Sequence, residues 1–346
     1  MLFRYPICFC LLFILMLMGL PACKQAQNPR FIAESDTSFS IEIRNISKKI
    51  NLEPSNPELY YKRSNTFFYE QNFKQAQYDI EYALQLDSVN PLYHYVHAKY
   101  LMSGDTANAK IAEQSYNKAI QLKPNFFDAT MDLAKLYLAK QDYSKAQALY
   151  IKANKIDVVN PGPYFYLGII AKETGDTSKA ILLFEQTLTY DSKHYDATMQ
   201  LGNYYAELDN KKALLFFDRA LEINAFSDEA MYAKGLYLQQ HHLYKDAMKL
   251  YEAVARINPS HIFCRYNLGY IHGLFNDYSK AISFLDDAIT LSPEYADAYT
   301  LRGFMKEQLK NSTGAYNDYK HAILLDDNQD KAKAGLKRIN ITISMP

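Results

Sequence analysis

The chain has 346 residues, and its 38 lysines and arginines balance its 38 aspartates and glutamates. Nucleic-acid-binding proteins usually carry a basic excess, so this balance argues against a nucleic-acid partner. Hydrophobic residues make up 49% of the chain, enough for a sizeable core, whereas 12 glycines and 12 prolines are few for an all-β protein and suit helices.

The N-terminal segment differs from the rest of the chain and is predicted to direct export. One arginine precedes a charge-free apolar stretch from Tyr5 to Leu20, a pattern typical of a secretory signal peptide over residues 1–22. The letters LPAC that follow resemble a bacterial lipobox, which implies that Cys23 is lipidated and that residues 23–40 form a polar tether. An ordinary signal peptide and an uncleaved anchor stay open as alternatives, although the apolar stretch is short for a membrane span.

The cysteines agree with this interpretation. Cys8 and Cys10 would leave with the signal peptide and Cys23 would carry the lipid, so Cys264 would have no partner for a disulfide. We therefore expect Cys264 to be a small packed residue.

The segment DYSKA occurs at 142–146 and again at 277–281, and its neighbours match as well. Its alanine belongs to a series with steps of 36, 34, 34, 33, 34, 34 and 34 residues: Ala76, Ala112, Ala146, Ala180, Ala213, Ala247, Ala281 and Ala315. A second, mostly small series lies seven residues later. A fixed period near 34 predicts a stack of repeats.

Each repeat is predicted to form two helices joined by a tight turn. In the third repeat, apolar and small residues recur at three- and four-residue steps, and Pro161 and Pro163 break the pattern at its end. Small residues such as Gly202 and Ala213 would let the two helices approach closely. The aromatic residues four places after the alanines would fill the space towards the next repeat: Tyr116, Tyr150, Phe184, Phe217, Tyr251 and Tyr319.

The stretch YNLGYIHGLFNDYSKAISFLDDAITLSP at 266–293 carries much of the tetratricopeptide repeat pattern, and the chain resembles that family. The resemblance implies an all-α fold, a right-handed superhelical α-solenoid of about eight repeats. Numbered 1 to 8 along the chain, they are 57–90, 91–126, 127–160, 161–194, 195–227, 228–261, 262–295 and 296–329. Residues 41–56 are predicted to form an N-terminal half-repeat cap, and residues 330–346 a C-terminal capping helix and tail.

No motif for catalysis or cofactor binding is found in the sequence. It lacks a glycine-rich phosphate loop and the patterns GxSxG, HExxH and CxxC. His94 and His97 share a helix face, but they occupy packing positions of repeat 2, which favours packed histidines over a metal site. The segments outside the repeats are too short for a catalytic core, so we predict a non-enzyme without metal or cofactor.

In the family that the chain resembles, the first helix of each repeat lines a concave groove, and the fifth residue of the repeat points into it. By this resemblance, the predicted partner-binding residues are Tyr61, Tyr95, Met131, Phe165, Met199, Tyr232 and Tyr266, with Tyr270 and Phe304 four places further on in their repeats. The alternative is that such a tyrosine is half-packed and has no ligand. The groove patch expected to dominate comprises Tyr232, Tyr266, Tyr270 and Phe304.

The leading hypothesis is a protein-interaction scaffold, lipid-anchored in a bacterial cell envelope, that binds a protein or peptide in its groove. It would face the periplasm or lie on the cell surface. The alternative is a carbohydrate-binding envelope lipoprotein whose groove aromatics stack on sugar rings; such a site would need acid or amide groups beside the aromatics.

Overall fold

The computed structural model describes residues 37–103 and 108–343, with side chains described as far as Ile339. These residues form two compact blocks, one ending at Leu136 and the other starting at Tyr137, and each is described by itself. The described part contains eighteen α-helices and no strand, which confirms the predicted all-α repeat fold. The predicted signal peptide, Cys23 and most of the tether lie outside the described residues.

The helix bounds follow the predicted period. Towards the N-terminus the helices are α1 (Ile41–Leu52), α2 (Pro57–Tyr69), α3 (Phe73–Leu86), α4 (Pro91–Met102), α5 (Ala109–Leu122) and α6 (Phe127–Ala139). Then come α7 (Tyr143–Ile156), α8 (Pro161–Glu173), α9 (Thr177–Tyr190), α10 (Tyr195–Glu207), α11 (Lys212–Ile223) and α12 (Asp228–Gln240). The last six are α13 (Tyr244–Ile257), α14 (Ile262–Leu274), α15 (Tyr278–Leu291), α16 (Ala296–Gln308), α17 (Ser312–Leu325) and α18 (Asp330–Ile343).

Proline begins the first helix of repeats 1, 2 and 4. A proline lacks the N–H that the first helical turn leaves unbonded, and its fixed φ suits that position. The preceding asparagine accepts a backbone N–H with its side-chain oxygen, which caps the helix. The capping asparagines are Asn56, Asn90 and Asn160, with N–O distances of 3.1, 3.0 and 3.0 Å.

The turn between the two helices of a repeat has the same backbone geometry wherever it is described. One residue adopts a positive φ between 51° and 81°: Gln71, Gln141, Gly175, Asp209, His242, Asn276 and Lys310. This residue donates its N–H to the carbonyl three residues back, as Asn276 does to Gly273 at 3.0 Å. The residue after it donates to the carbonyl five residues back, as Asp277 does to His272 at 2.9 Å. This is the Schellman ending, in which glycine is usual at the positive-φ position.

Neighbouring helices in the second block pack through rings laid over glycines. A Cβ atom added at Gly202 of α10 would lie 2.6 Å from the Phe217 ring of α11, and Gly235 has the same relation to Tyr251 at 2.7 Å. The rings also reach the following helix pair, as Tyr150 does when it stacks on Tyr166 with ring centroids 5.1 Å apart. Each ring therefore fills the space within its own repeat as well as the expected space towards the next.

A charged pair replaces apolar packing in the first and last repeats. Arg63 of α2 makes two bonds to Asp79 of α3, of 2.6 and 2.7 Å, and both side chains are buried. Arg302 of α16 makes the corresponding pair with Asp318 of α17, at 3.0 and 2.7 Å. The same places in repeats 3, 4 and 7 hold Leu133 and Leu149, Leu167 and Leu183, and Leu268 and Phe284.

Over the described ranges, no helix is both long enough and apolar enough to cross a membrane.

Candidate functional site

Four of the predicted groove aromatics are half-buried, and each of them contacts a ring that stands immediately before the next repeat. Four such ring pairs recur at the repeat junctions, with centroids 4.5 to 5.2 Å apart: Tyr95 with Phe126, Phe165 with His194, Tyr232 with His261, and Tyr266 with Tyr295. Aromatic pairs at this separation are mutually stabilising. The fifth-place rings are thus junction residues as well as candidate contact residues.

Two of the partner rings are histidines that cap helices. Nδ1 of His194 accepts the N–H of Ala197 at 3.3 Å, and Nδ1 of His261 accepts that of Cys264 at 3.2 Å. These bonds hold the imidazoles at the helix N-termini, where they face Phe165 and Tyr232 respectively.

The remaining predicted residues divide by burial. In the first block, Tyr61 contacts Tyr93 with ring centroids 5.5 Å apart and stays partly exposed. Met131 and Met199 are buried, with 7% and 2% of their surface exposed, so they offer almost nothing to a partner. Their side chains serve packing, in contrast to the groove role predicted for them.

Tyr266, Tyr270 and Phe304 line one cavity in the second block, with a volume of about 380 Å³. Phe304 is 41% exposed, although its helix α16 packs against both α15 and α17. Tyr232, the fourth residue of the predicted patch, does not line this cavity. Burial raises the pKa of the Tyr266 hydroxyl to about 12, and the nearby Asp297 carboxylate adds to the rise.

One wall of the cavity is polar and internally bonded. Thr300 donates its hydroxyl to the Gln329 side-chain oxygen at 2.9 Å. The Gln329 amide in turn donates to the Asp297 carboxylate at 2.9 Å and to Asp326 at 3.1 Å. The wall therefore presents acid and amide groups that are already oriented beside the aromatic rings.

Another part of the cavity lining is provided by α18. Lys331, Ala334 and Arg338 of this helix line the cavity. Arg338 makes two bonds of 2.9 Å to Glu307, and this guanidinium holds the pKa of the Glu307 carboxyl below its usual range. This segment was predicted only as a cap and its lining residues were not predicted, although their i, i+3 and i+7 spacing places them on one helix face.

No cluster that could hold a metal ion is found among the described residues. His94 contacts the Ser88 carbonyl at 2.9 Å, while His97 contacts the Ser115 hydroxyl at 3.0 Å, so both imidazoles have protein partners. Cys264 is buried and free, and burial raises the pKa of its thiol to about 12, which makes it unreactive at neutral pH.

Comparison with known proteins shows that the chain is similar to repeat proteins. Residues 44–304 match the family described as tetratricopeptide repeat protein 21 second ARM domain. The chain is 25% identical over 257 residues to the BBSome complex member BBS4 of Bos taurus, covering 63% of this chain and 48% of that protein. It is 21% identical over 211 residues to anaphase-promoting complex subunit 3 of Schizosaccharomyces pombe, covering 61% of this chain and 32% of that protein.

The chain thus spans half or less of the length of these curated relatives. Among solved structures, the C-terminal part of a TPR repeat-containing protein from Cytophaga hutchinsonii is similar, with a TM-score of 0.59 and 18% identity. The match covers 70% of this chain and 99% of the solved one, and it supports the repeat fold.

Proposed function

Because the chain belongs to the family of the tetratricopeptide repeat protein 21 second ARM domain, we propose that it is a non-catalytic scaffold that binds a partner protein or peptide. The two relatives are, by their names, members of multiprotein complexes. The observation that carries the proposal is the cavity walled by Tyr266, Tyr270 and Phe304. Aromatic side chains that a partner can bury dominate interface energetics.

The proposal extends to location. Lipid attachment at Cys23 would anchor the scaffold in a bacterial cell envelope, facing the periplasm or the cell surface, with residues 23–40 as tether. Its support is the LPAC sequence after the charge-free apolar stretch.

Partner capture from detergent-solubilised membranes, identified by mass spectrometry, tests the scaffold function. The test variant is Tyr270→Ala with Phe304→Ala, because Tyr266 also packs against the Tyr295 ring and its loss would disturb a repeat junction. The matched control is Phe226→Ala, which removes a ring that is 76% exposed and lies outside the cavity.

We expect the double variant to lose its partners and the control to keep them, with both melting near the wild-type temperature. Unchanged capture by the double variant would remove the cavity from the proposal. A sharp loss of thermal stability would show instead that these rings are packing residues.

A second function, carbohydrate binding, is favoured by one observation: Asp297, Thr300 and Gln329 stand beside the aromatic rings. Sugar-binding sites combine a ring face with such hydrogen-bonding groups. An oligosaccharide array tests this function. Two results together would favour it over the scaffold: the wild type binds oligosaccharides but captures no protein, and the double variant loses the oligosaccharide binding.

A further inference from the structure

The C-terminal helix α18 does more than cover the last repeat, because it closes one side of the aromatic cavity. Its residues Lys331, Ala334 and Arg338 line the same space as Tyr270 and Phe304. Ala334 is small and leaves room between the two basic residues. A cavity of about 380 Å³ lies at the lower end of the range for small-ligand sites, which suits one bulky side chain better than a long segment.

The charged side chains that line the cavity differ in whether another charged group pairs with them. Arg338 is bonded twice to Glu307, which matches its charge. The Asp297 carboxylate keeps its charge, because the Gln329 amide that donates to it is neutral. Lys331 is exposed and has no ion pair or hydrogen bond among the side chains that the structure describes. The cavity therefore joins apolar ring walls with an ammonium group whose charge is left for a ligand to match.

We propose that this cavity binds an aromatic group that carries a carboxylate close by, with the ring against Tyr270 and Phe304 and the carboxylate at Lys331. The proposal rests on the scaffold function and names the feature of the partner that the site recognises. The carboxylate could belong to a chain terminus or to an acidic side chain next to the aromatic residue, since both present the same anion.

The two parts of the ligand should contribute differently. Ring burial supplies most of the affinity, whereas an exposed ion pair adds little, so removal of the carboxylate should weaken binding about two- to fivefold. That preference should shrink as salt concentration rises, because surface charges are screened.

Ligand-observed NMR titration of the full chain tests the proposal with four probes. N-acetylphenylalanine carries the ring and a terminal carboxylate, and N-acetylphenylalaninamide carries the ring alone. N-acetylalanine carries the carboxylate without a ring, and the blocked dipeptide N-acetyl-aspartyl-phenylalaninamide carries the ring with a side-chain carboxylate. We expect the two probes with both groups to bind most tightly, the ring-only probe more weakly, and N-acetylalanine not measurably. Tighter binding of N-acetylphenylalanine than of N-acetyl-aspartyl-phenylalaninamide assigns the carboxylate to a chain terminus, and the reverse order assigns it to a side chain.

Three variants locate the binding. Lys331→Gln should remove the preference for the acid over the amide, while Lys337→Gln, an exposed lysine on the same helix outside the cavity, should leave it intact. Ala334→Trp should fill the cavity and abolish binding of every probe. Equal binding of acid and amide by wild type, or an unchanged preference in Lys331→Gln, would overturn the proposal.

The outcome separates this proposal from the scaffold function. If no probe binds but partner capture still depends on Tyr270 and Phe304, the scaffold stands and the assigned ligand chemistry is wrong. If the probes bind as expected but no protein is captured, the ligand chemistry stands and the scaffold function fails.

Discussion

The buried pair of Arg63 and Asp79 gives a prediction whose size follows from the structure. Their side chains are 0% and 1% exposed, and the guanidinium also donates to the Ser47 hydroxyl at 2.9 Å. Asp79→Leu removes two charge-assisted bonds and leaves a guanidinium that cannot lose its proton. Breaking a buried pair from one side costs about 3–5 kcal/mol, so we expect a loss of that size in the stability of the first block.

The reverse change, Arg63→Leu, should cost less at low pH. Burial raises the pKa of the Asp79 carboxyl, while Arg63 opposes the rise. Without Arg63 the carboxyl is expected to be protonated in the folded state well above its unfolded pKa of about 3.9. A raised folded pKa makes the folded state more stable as the pH falls, so this variant should regain stability as the pH falls from neutral towards about 3.9, and Asp79→Leu should not.

The double variant Arg63→Leu with Asp79→Leu supplies the control, because repeats 3 and 4 carry leucine at both places. Replacing a buried ion pair with apolar residues is often neutral or stabilising, so the double variant should recover most of the loss. Guanidinium denaturation followed by circular dichroism, together with hydrogen exchange of the α2 and α3 amides, measures all three variants. Equal losses in both single variants and in the double variant would refute the reasoning.

Three further predictions follow from the described helix pairs and from the N-terminal sequence. Gly202→Leu should cost roughly 1–3 kcal/mol in denaturant melts because the Phe217 ring occupies the space of its side chain; the exposed Glu207→Leu should cost far less, and equal losses would contradict this packing. Gln141→Gly should stabilise the protein by up to about 1 kcal/mol, because relief of about 1–2 kcal/mol of left-handed backbone strain outweighs the added freedom of the unfolded chain. Gly175→Ala should destabilise it, because Gly175 also has a positive φ; a thermal shift of the opposite sign in either variant would count against the strain. Cys23→Ala should move the protein from the membrane to the soluble fraction or trap an uncleaved precursor, and an unchanged membrane fraction with normal processing would argue against lipidation.

The repeat fold could be predicted well from the sequence, because the residues that recur with the period are those that pack neighbouring helices together. Alanine at a fixed place and glycine one helix earlier are required wherever two helices approach closely, and the ring over Gly202 shows that requirement directly. The candidate site was harder to predict. Tyr266 and Phe304 were named from their place in the repeat, but the wall formed by α18 depends on how that helix packs against repeat 8, which no periodic pattern encodes.

The ring contacts of Tyr232 with His261 and of Tyr266 with Tyr295 were also not predicted. The signal was present, since an aromatic residue or histidine stands immediately before several repeats, as at Phe126 and His194. This signal could not be interpreted from the sequence, because a residue in a connecting turn has no helical periodicity. Only the packed structure shows which ring such a residue contacts.

The charged pairs in the first and last repeats also bear on how the chain folds. Repeats that resemble one another can pair out of order, since an apolar helix face of one repeat suits the helices of many others. A guanidinium from Arg63 or Arg302 that met a leucine in such a mispaired stack would be buried without a carboxylate, at a cost of several kcal/mol. Each pair joins the two helices of a single repeat, sixteen residues apart in sequence. We therefore expect each pair to favour the native pairing of the two helices in its own repeat over mispaired alternatives.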